Sequence, residues 1–208
     1  AVPTLNVPYQ DAWTWCTRPA SRARIRICGE NRASVSHNVV AELTGDAPDA
    51  DCIYLCAHVD TQADTVGADD NAIGCAILLE LARVLAARPH RSTIRLIAFG
   101  AEEVLSLGSA EYVRRHRHEL AQHAAFVCNF DSCGSAVGWN QLITSLDDAL
   151  SQRVRSCFER AGCYYVELDT PDPCNDLFPF TALGVAGITV MRRNCEAGVF
   201  YHHRPDNT

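Results

Sequence analysis

The sequence predicts an α/β fold, three-layer α/β/α, around a central mixed, mostly parallel sheet. Two observations carry this. Short apolar runs of strand character alternate with longer segments whose apolar residues recur at helical spacing, the pattern of strand–helix–strand units. The run CIYLCAH, Cys52 to His58, is also continuously apolar, as a strand covered on both faces must be.

Each element has its own signal. The first 23 residues hold Pro3, Pro8 and Pro19 and are expected to be irregular. RIRIC, Arg24 to Cys28, alternates polar and apolar residues with the period of a half-buried strand. Ser36 to Leu43 is a second strand, ended by the turn pair Gly45-Asp46. Ala72 to Arg88 is the clearest helix: Ile73, Ile77, Leu81, Val84 and Leu85 repeat at helical spacing and Pro89 stops it. Further on, strands are expected at Thr93 to Gly100, Ala125 to Phe130, Tyr164 to Leu168 and Val185 to Met191. Helices are expected at Ser109 to Glu119 and Asp147 to Ala161.

Composition excludes several function classes. All 18 basic residues among the 208 are arginine, so Schiff-base chemistry and a lysine-bearing phosphate loop are ruled out. The net charge of −7 argues against a nucleic-acid partner, which needs clustered cations. No apolar stretch is long enough to span a membrane, and AVPTLNVPYQ has no signal-peptide character. The 11 cysteines include no CxxC pair. They read mostly as buried free thiols, which leans toward a reducing, cytoplasmic setting.

Ligands of open α/β sheets bind beyond the carboxyl ends of the strands. There this chain places His58-Val59-Asp60, Glu102-Glu103 and Asp131, with Asp69-Asp70-Asn71 before the long helix and Tyr201-His202-His203 after the last strand. Each has an ordinary reading on its own, as a solvated loop pair or a helix cap. Together they offer the imidazole and carboxylate donors of a hydrolytic two-metal site, with ions about 3.5–4 Å apart. Such a site also needs a carboxylate that takes a proton from the attacking water rather than binding metal. Two adjacent glutamates can supply one of each.

The runs AHVDTQADTVGADDNAIG, FGAEE, NFDS and YHHRPDN resemble the dizinc exopeptidases of the MH clan, a family of bacterial aminopeptidases, glutamate carboxypeptidase and glutaminyl cyclase. The likeness runs from about Ser36 to the end of the chain. It implies a zinc-exopeptidase-like fold and two Zn²⁺ ions: His58 and Asp131 on one, Glu103 and His202 on the other, Asp70 bridging. His203 is the alternative to His202. It further implies Glu102 as general base, Asp60 steering His58, Tyr201 polarising the scissile carbonyl, and a cis peptide at Asp70–Asn71. The substrate implied is a peptide cut at one end, with aminopeptidase action first and carboxypeptidase or glutaminyl cyclase action as alternatives. A receptor-like domain without activity would have lost ligands, and none is lost here. Where many members read Ser-Asp-His, this chain reads Asn175-Asp176-Leu177, so the acid is kept and the histidine is not. The resemblance also makes residues 1–208 a single catalytic domain, with residues 1–23 as the exit from an absent accessory domain.

Overall fold

The computed structural model describes residues 7–193 apart from 19–21, 23, 31, 48, 64, 137, 146 and 171. Among these, seven strands form one sheet: β1 (Val39–Leu43), β2 (Cys52–His58), β3 (Ile94–Phe99), β4 (Ala124–Phe130), β5 (Trp139–Ser145), β6 (Tyr165–Leu168) and β7 (Gly187–Arg193). Their order is β1-β3-β2-β4-β7-β5-β6. β1 against β3 and β5 against β7 run antiparallel; the other pairings are parallel. The mixed, mostly parallel sheet is therefore as expected. β2 lies inside it, between β3 and β4, and is covered on both faces, which is why that strand is apolar on both sides.

The chain falls into two units, 1–35 and 36–208. The first holds one helix, α1 (Tyr9–Thr17), within the stretch expected to be irregular. The prolines that suggested irregularity flank this helix rather than interrupt it. The expected strand Arg24 to Cys28 does not form; those residues join no ladder. Alternation supplies a face, but a strand also needs an edge to pair with.

In the second unit the helices cover both sheet faces. α2 (Ile73–Ala86) and α5 (Asp148–Arg160) lie on one side, where Leu78, Leu81, Leu85 and Val154 pack with Leu55, Leu96 and Ile188. α3 (Leu107–Arg115), α4 (Arg117–His123) and α6 (Phe178–Ala182) lie on the other, where Tyr112, Leu120 and Phe180 pack with Tyr54, Ile97, Phe99 and Val127. The Asp147 side chain caps α5 by accepting from Leu150 N (2.7 Å).

One further expectation is corrected, and two elements, β5 and α6, come without one. Ser109 to Glu119 is not one helix: a turn at His116 separates α3 from α4, and α4 buries Leu120 while carrying Glu119 to Arg95. β5 has no apolar run; its buried Gln141 and Thr144 hide a strand that is enclosed between β7 and β6. The short α6 begins around Pro179, where a missing N–H costs no helical hydrogen bond. The cysteines are also not mostly buried. Cys52, Cys56 and Cys128 are, but Cys16, Cys28, Cys157, Cys163 and Cys174 are exposed, and all described cysteines are free. No described helix is long and apolar enough to cross a membrane.

Candidate metal centre

The carboxyl edge of the sheet gathers the expected residues. His58 is the last residue of β2 and is 1% exposed. Its Nε2 lies 2.9 Å from Asp70 Oδ1, 3.4 Å from Asp131 Oδ1 and 4.0 Å from Glu102 Oε2. Its Nδ1 lies 3.0 Å from the Asp60 carbonyl oxygen, a contact that orients the ring. Burial by itself lowers the His58 pKa, but the carboxylates of Asp131, Asp60 and Asp70 outweigh it and raise the pKa.

Asp60 lies two residues beyond β2. Its two oxygens accept from the backbone N–H groups of Glu102 (3.0 Å) and Glu103 (3.2 Å). One carboxylate so holds the loop that carries both glutamates. Burial would raise the Asp60 pKa; His58 and the two N–H groups overcome that and lower it. Glu102 is buried, with Oε1 accepting from Ser106 Oγ (3.2 Å). Burial pushes its carboxyl up to about 8, opposed by His58 and reinforced by Asp131, Asp176 and Glu103. Glu103 points to a different partner: its Oε2 accepts from Gln62 Nε2 (2.5 Å). The adjacent pair is therefore divided between two environments, as the sequence suggested.

Asp70 sits in a kinked turn, Ala68–Ala72, just before α2, where Asp70 and Asn71 leave helical geometry and the peptide bond between them is cis. Asn71 ties that turn to the sheet. Its Nδ2 donates to the Phe130 carbonyl at the end of β4 (2.9 Å), and its Oδ1 accepts from Gly74 N (3.0 Å). Gly74 is needed for this fit, because a Cβ there would lie 2.3 Å from Asn71 Oδ1 and 2.6 Å from the Phe130 oxygen. Asp131 follows β4 directly and donates its N–H to the Val190 carbonyl (3.1 Å). Among the described residues, the non-glycine residues at positive φ are Ala101, Leu105, Ser106 and Ser132. All four lie in the loops that bear Glu102, Glu103 and Asp131. Backbone in this sparsely populated region is concentrated where side chains must be aimed.

One nitrogen and two oxygens, from His58, Asp70 and Asp131, lie within 4.8 Å of one another. This donor set, buried and with an excess of negative charge, fits a divalent cation. Glu102 and Glu103 join Asp70 and Asp131 in the wall of a cleft of about 320 Å³, which Asp172, Cys174, Leu105, Met191 and Arg193 complete. Arg192, one residue before Arg193, turns away to Asn140 Oδ1 (3.3 Å) and the Gly138 carbonyl (3.2 Å). Tyr201, His202 and His203 lie outside the described residues. Sequence reasoning missed Gln62, Ser106 and Asn38. The last pins β3 to α3 by accepting from Gly100 N (3.1 Å) and donating to the Gly108 carbonyl (2.9 Å). Polar loop residues of this kind carry no periodicity, so no signal marked them.

The fold and site define a class: three-layer α/β/α proteins with an imidazole–carboxylate centre at the carboxyl edge of the sheet. Within it, the chain belongs to Peptidase family M28, whose model matches residues 38–208. It is 34% identical over 142 residues to Aminopeptidase YwaD of Bacillus subtilis, covering 65% of this chain and 30% of that protein. It is 28% identical over 134 residues to an aminopeptidase of Pseudomonas aeruginosa, covering 64% of this chain and 25% of that one. Among solved structures it resembles BSAP, a zinc aminopeptidase from Bacillus subtilis, with TM-score 0.73, 27% identity, and coverage of 82% of this chain and 44% of that one. A glutaminyl cyclase from an Acidobacteriales bacterium shares the fold at TM-score 0.69 and 18% identity, over 82% of this chain and 65% of that one. The chain thus spans a third or less of the length of these two curated relatives.

Proposed function

We propose that this chain is the catalytic part of a zinc-dependent exopeptidase that removes the N-terminal residue of a peptide. The observation that carries the reading is the approach of His58, Asp70 and Asp131 donor atoms to one another with Glu102 beside them and buried. Membership of Peptidase family M28 and the aminopeptidase names of its relatives support it. His58 and Asp131 would hold one zinc ion, Glu103 and His202 a second, with Asp70 shared. Two zinc ions held there would supply a water of lowered pKa and Lewis-acid polarisation of the scissile carbonyl.

The protein groups do the rest. Glu102 takes a proton from the attacking water and returns it to the leaving amine. The Ser106 hydroxyl keeps one of its oxygens oriented. Asp60 holds the backbone of Glu102 and Glu103 so that their side chains diverge, one toward the reacting water and one toward metal. Tyr201 donates a hydrogen bond to the carbonyl oxygen as it gains charge. Asp172, the cleft-wall carboxylate with no part in metal binding or proton transfer, receives the cationic α-amine of a peptide.

One observation favours a second reading. Arg193 stands in the same wall and is a partner for a free α-carboxylate, as carboxypeptidase action requires. Purified protein loaded with zinc should release nitroaniline from an aminoacyl-nitroanilide and leave an N-blocked dipeptide intact. The reverse pattern would establish carboxypeptidase action, and inertness toward both would reject exopeptidase function.

A further inference from the structure

Directly beneath the ligand row, the same face of the sheet carries a second polar row. Residues two apart along a strand share a face, so Cys56, Asn129 and Thr189 lie one step below His58, Asp131 and Met191. The registers bring them side by side: Cys56 pairs with Asn129, and Asn129 with Thr189. All three are buried. One step further down the face is wholly apolar, with Tyr54 and Val127 packed against Phe180 and Leu177.

The segment Asn175-Asp176 borders the polar row. Asn175 Oδ1 accepts from Thr189 Oγ1 (3.3 Å) and from Leu177 N (2.9 Å). Five buried atoms here meet no protein hydrogen-bond partner among the described residues: both oxygens of Asp176, both amide atoms of Asn129, and Asn175 Nδ2. Asp176 is 1% exposed. An ionised carboxylate with neither donor nor cation would be strongly unfavourable there, whereas a neutral acid needs only ordinary hydrogen bonds. Burial pushes the Asp176 carboxyl up to about 7; the Ser109 hydroxyl and His58 oppose this, and Asp131 and Asp60 add to it. Polar groups left over in so enclosed a place take their remaining hydrogen bonds from ordered water.

We propose that Asp176 is a positioning residue, entering as a hydrogen-bond donor a buried polar layer, shared with Asn129 and Asn175 and completed by ordered water, that supports His58 and Asp131 as metal ligands. The layer is the outer support that a ligand pair at the end of two strands needs. The proposal rests on the metal-centre reading, and the test separates the two.

The first measurement is infrared difference spectroscopy of metal-free protein between wild type and Asp176→Asn at neutral pH. A protonated-carboxyl carbonyl band present in wild type and lost in the variant is expected; its absence from wild type overturns the proposal. The second is zinc affinity by chelator competition. Asp176→Asn, which keeps a neutral donor, should stay within about threefold of wild type, while Asp176→Ala should weaken binding about 10–100-fold. Equal affinity in Asp176→Ala, or equal weakening in both variants, overturns it. Should Asp176→Ala fail to fold, the band and the Asp176→Asn affinity decide. A wild type that shows the band but takes up no zinc defeats the metal reading and, with it, the positioning role. A wild type that takes up zinc without the band defeats only the layer.

Discussion

Two ends of the same strands treat charge in opposite ways. At the amino ends of β2 and β3, Arg95 reaches Glu42 (2.9 Å) and Glu119 (2.6 Å) and the phenols of Tyr54 (3.3 Å) and Tyr112 (3.5 Å), with its guanidinium over the Tyr54 ring. At the carboxyl ends, His58 faces Asp60, Asp70, Glu102 and Asp131 with one imidazole to serve them all. The first cluster holds a full-time cation of the protein, shared by two carboxylates. In the second, among the described residues, carboxylates outnumber the one imidazole they face. An excess of one sign in a buried place marks a site built for something other than stability.

The largest expected effect tests what that excess is for. Glu102→Gln should lower turnover of an aminoacyl-nitroanilide by about 10²–10⁴-fold while zinc content, read by metal analysis, stays at the wild-type level. Undiminished turnover would remove Glu102 from the mechanism. Next comes the arginine end: Arg95→Met leaves Glu42 and Glu119 without their cation and should cost about 2–3 kcal/mol of unfolding free energy in denaturant titration, discounted because both glutamates are part-exposed. Zinc affinity should not move, since the cluster lies at the far end of the strands. A joint loss of zinc would show that the two ends are coupled.

Asp60→Asn sharpens the comparison at the site itself. An amide cannot accept both the Glu102 and Glu103 N–H groups as a carboxylate does, so zinc affinity should fall about 10–100-fold with little change in thermal stability. The smallest effect is one of pH. Burial raises the Glu119 pKa but Arg95 lowers it further, so the net shift is downward. The stability this gives is complete above the ordinary glutamate value near 4.5 and is lost as pH falls through the lower folded value. Glu119 is part-exposed, so the acid limb is worth below about 1 kcal/mol. Urea titrations of Glu119→Gln should show that limb flattened, and an unchanged limb would place the acid sensitivity elsewhere.

The sheet and its site were legible to different depths. β2, β3, β4 and α2 announce themselves because a strand covered on both faces and a helix packed on one face leave periodic apolar patterns. β5 and α6 do not, because one is held by ladder hydrogen bonds around buried polar residues and the other is a single turn. Arg24 to Cys28 shows the converse: a sound strand pattern with no partner forms no strand. His58, Asp60, Asp70, Glu102, Glu103 and Asp131 were legible because the topology of parallel strands sends every strand end to one edge, so position along the chain stands in for position in space.

By itself the sequence determined the α/β class, the buried strand β2 and the identity of the groups that meet at its end. Only the tertiary structure decided how those groups divide their work. It set the two Asp60 oxygens on the Glu102 and Glu103 backbone, gave Glu103 to Gln62, tied the Asp70 turn to β4 through Asn71, and laid a polar row under the ligands. The reason is physical. Burial and chain period are local properties written residue by residue, whereas hydrogen-bond partners 40 or 60 residues apart exist only once strands are in register.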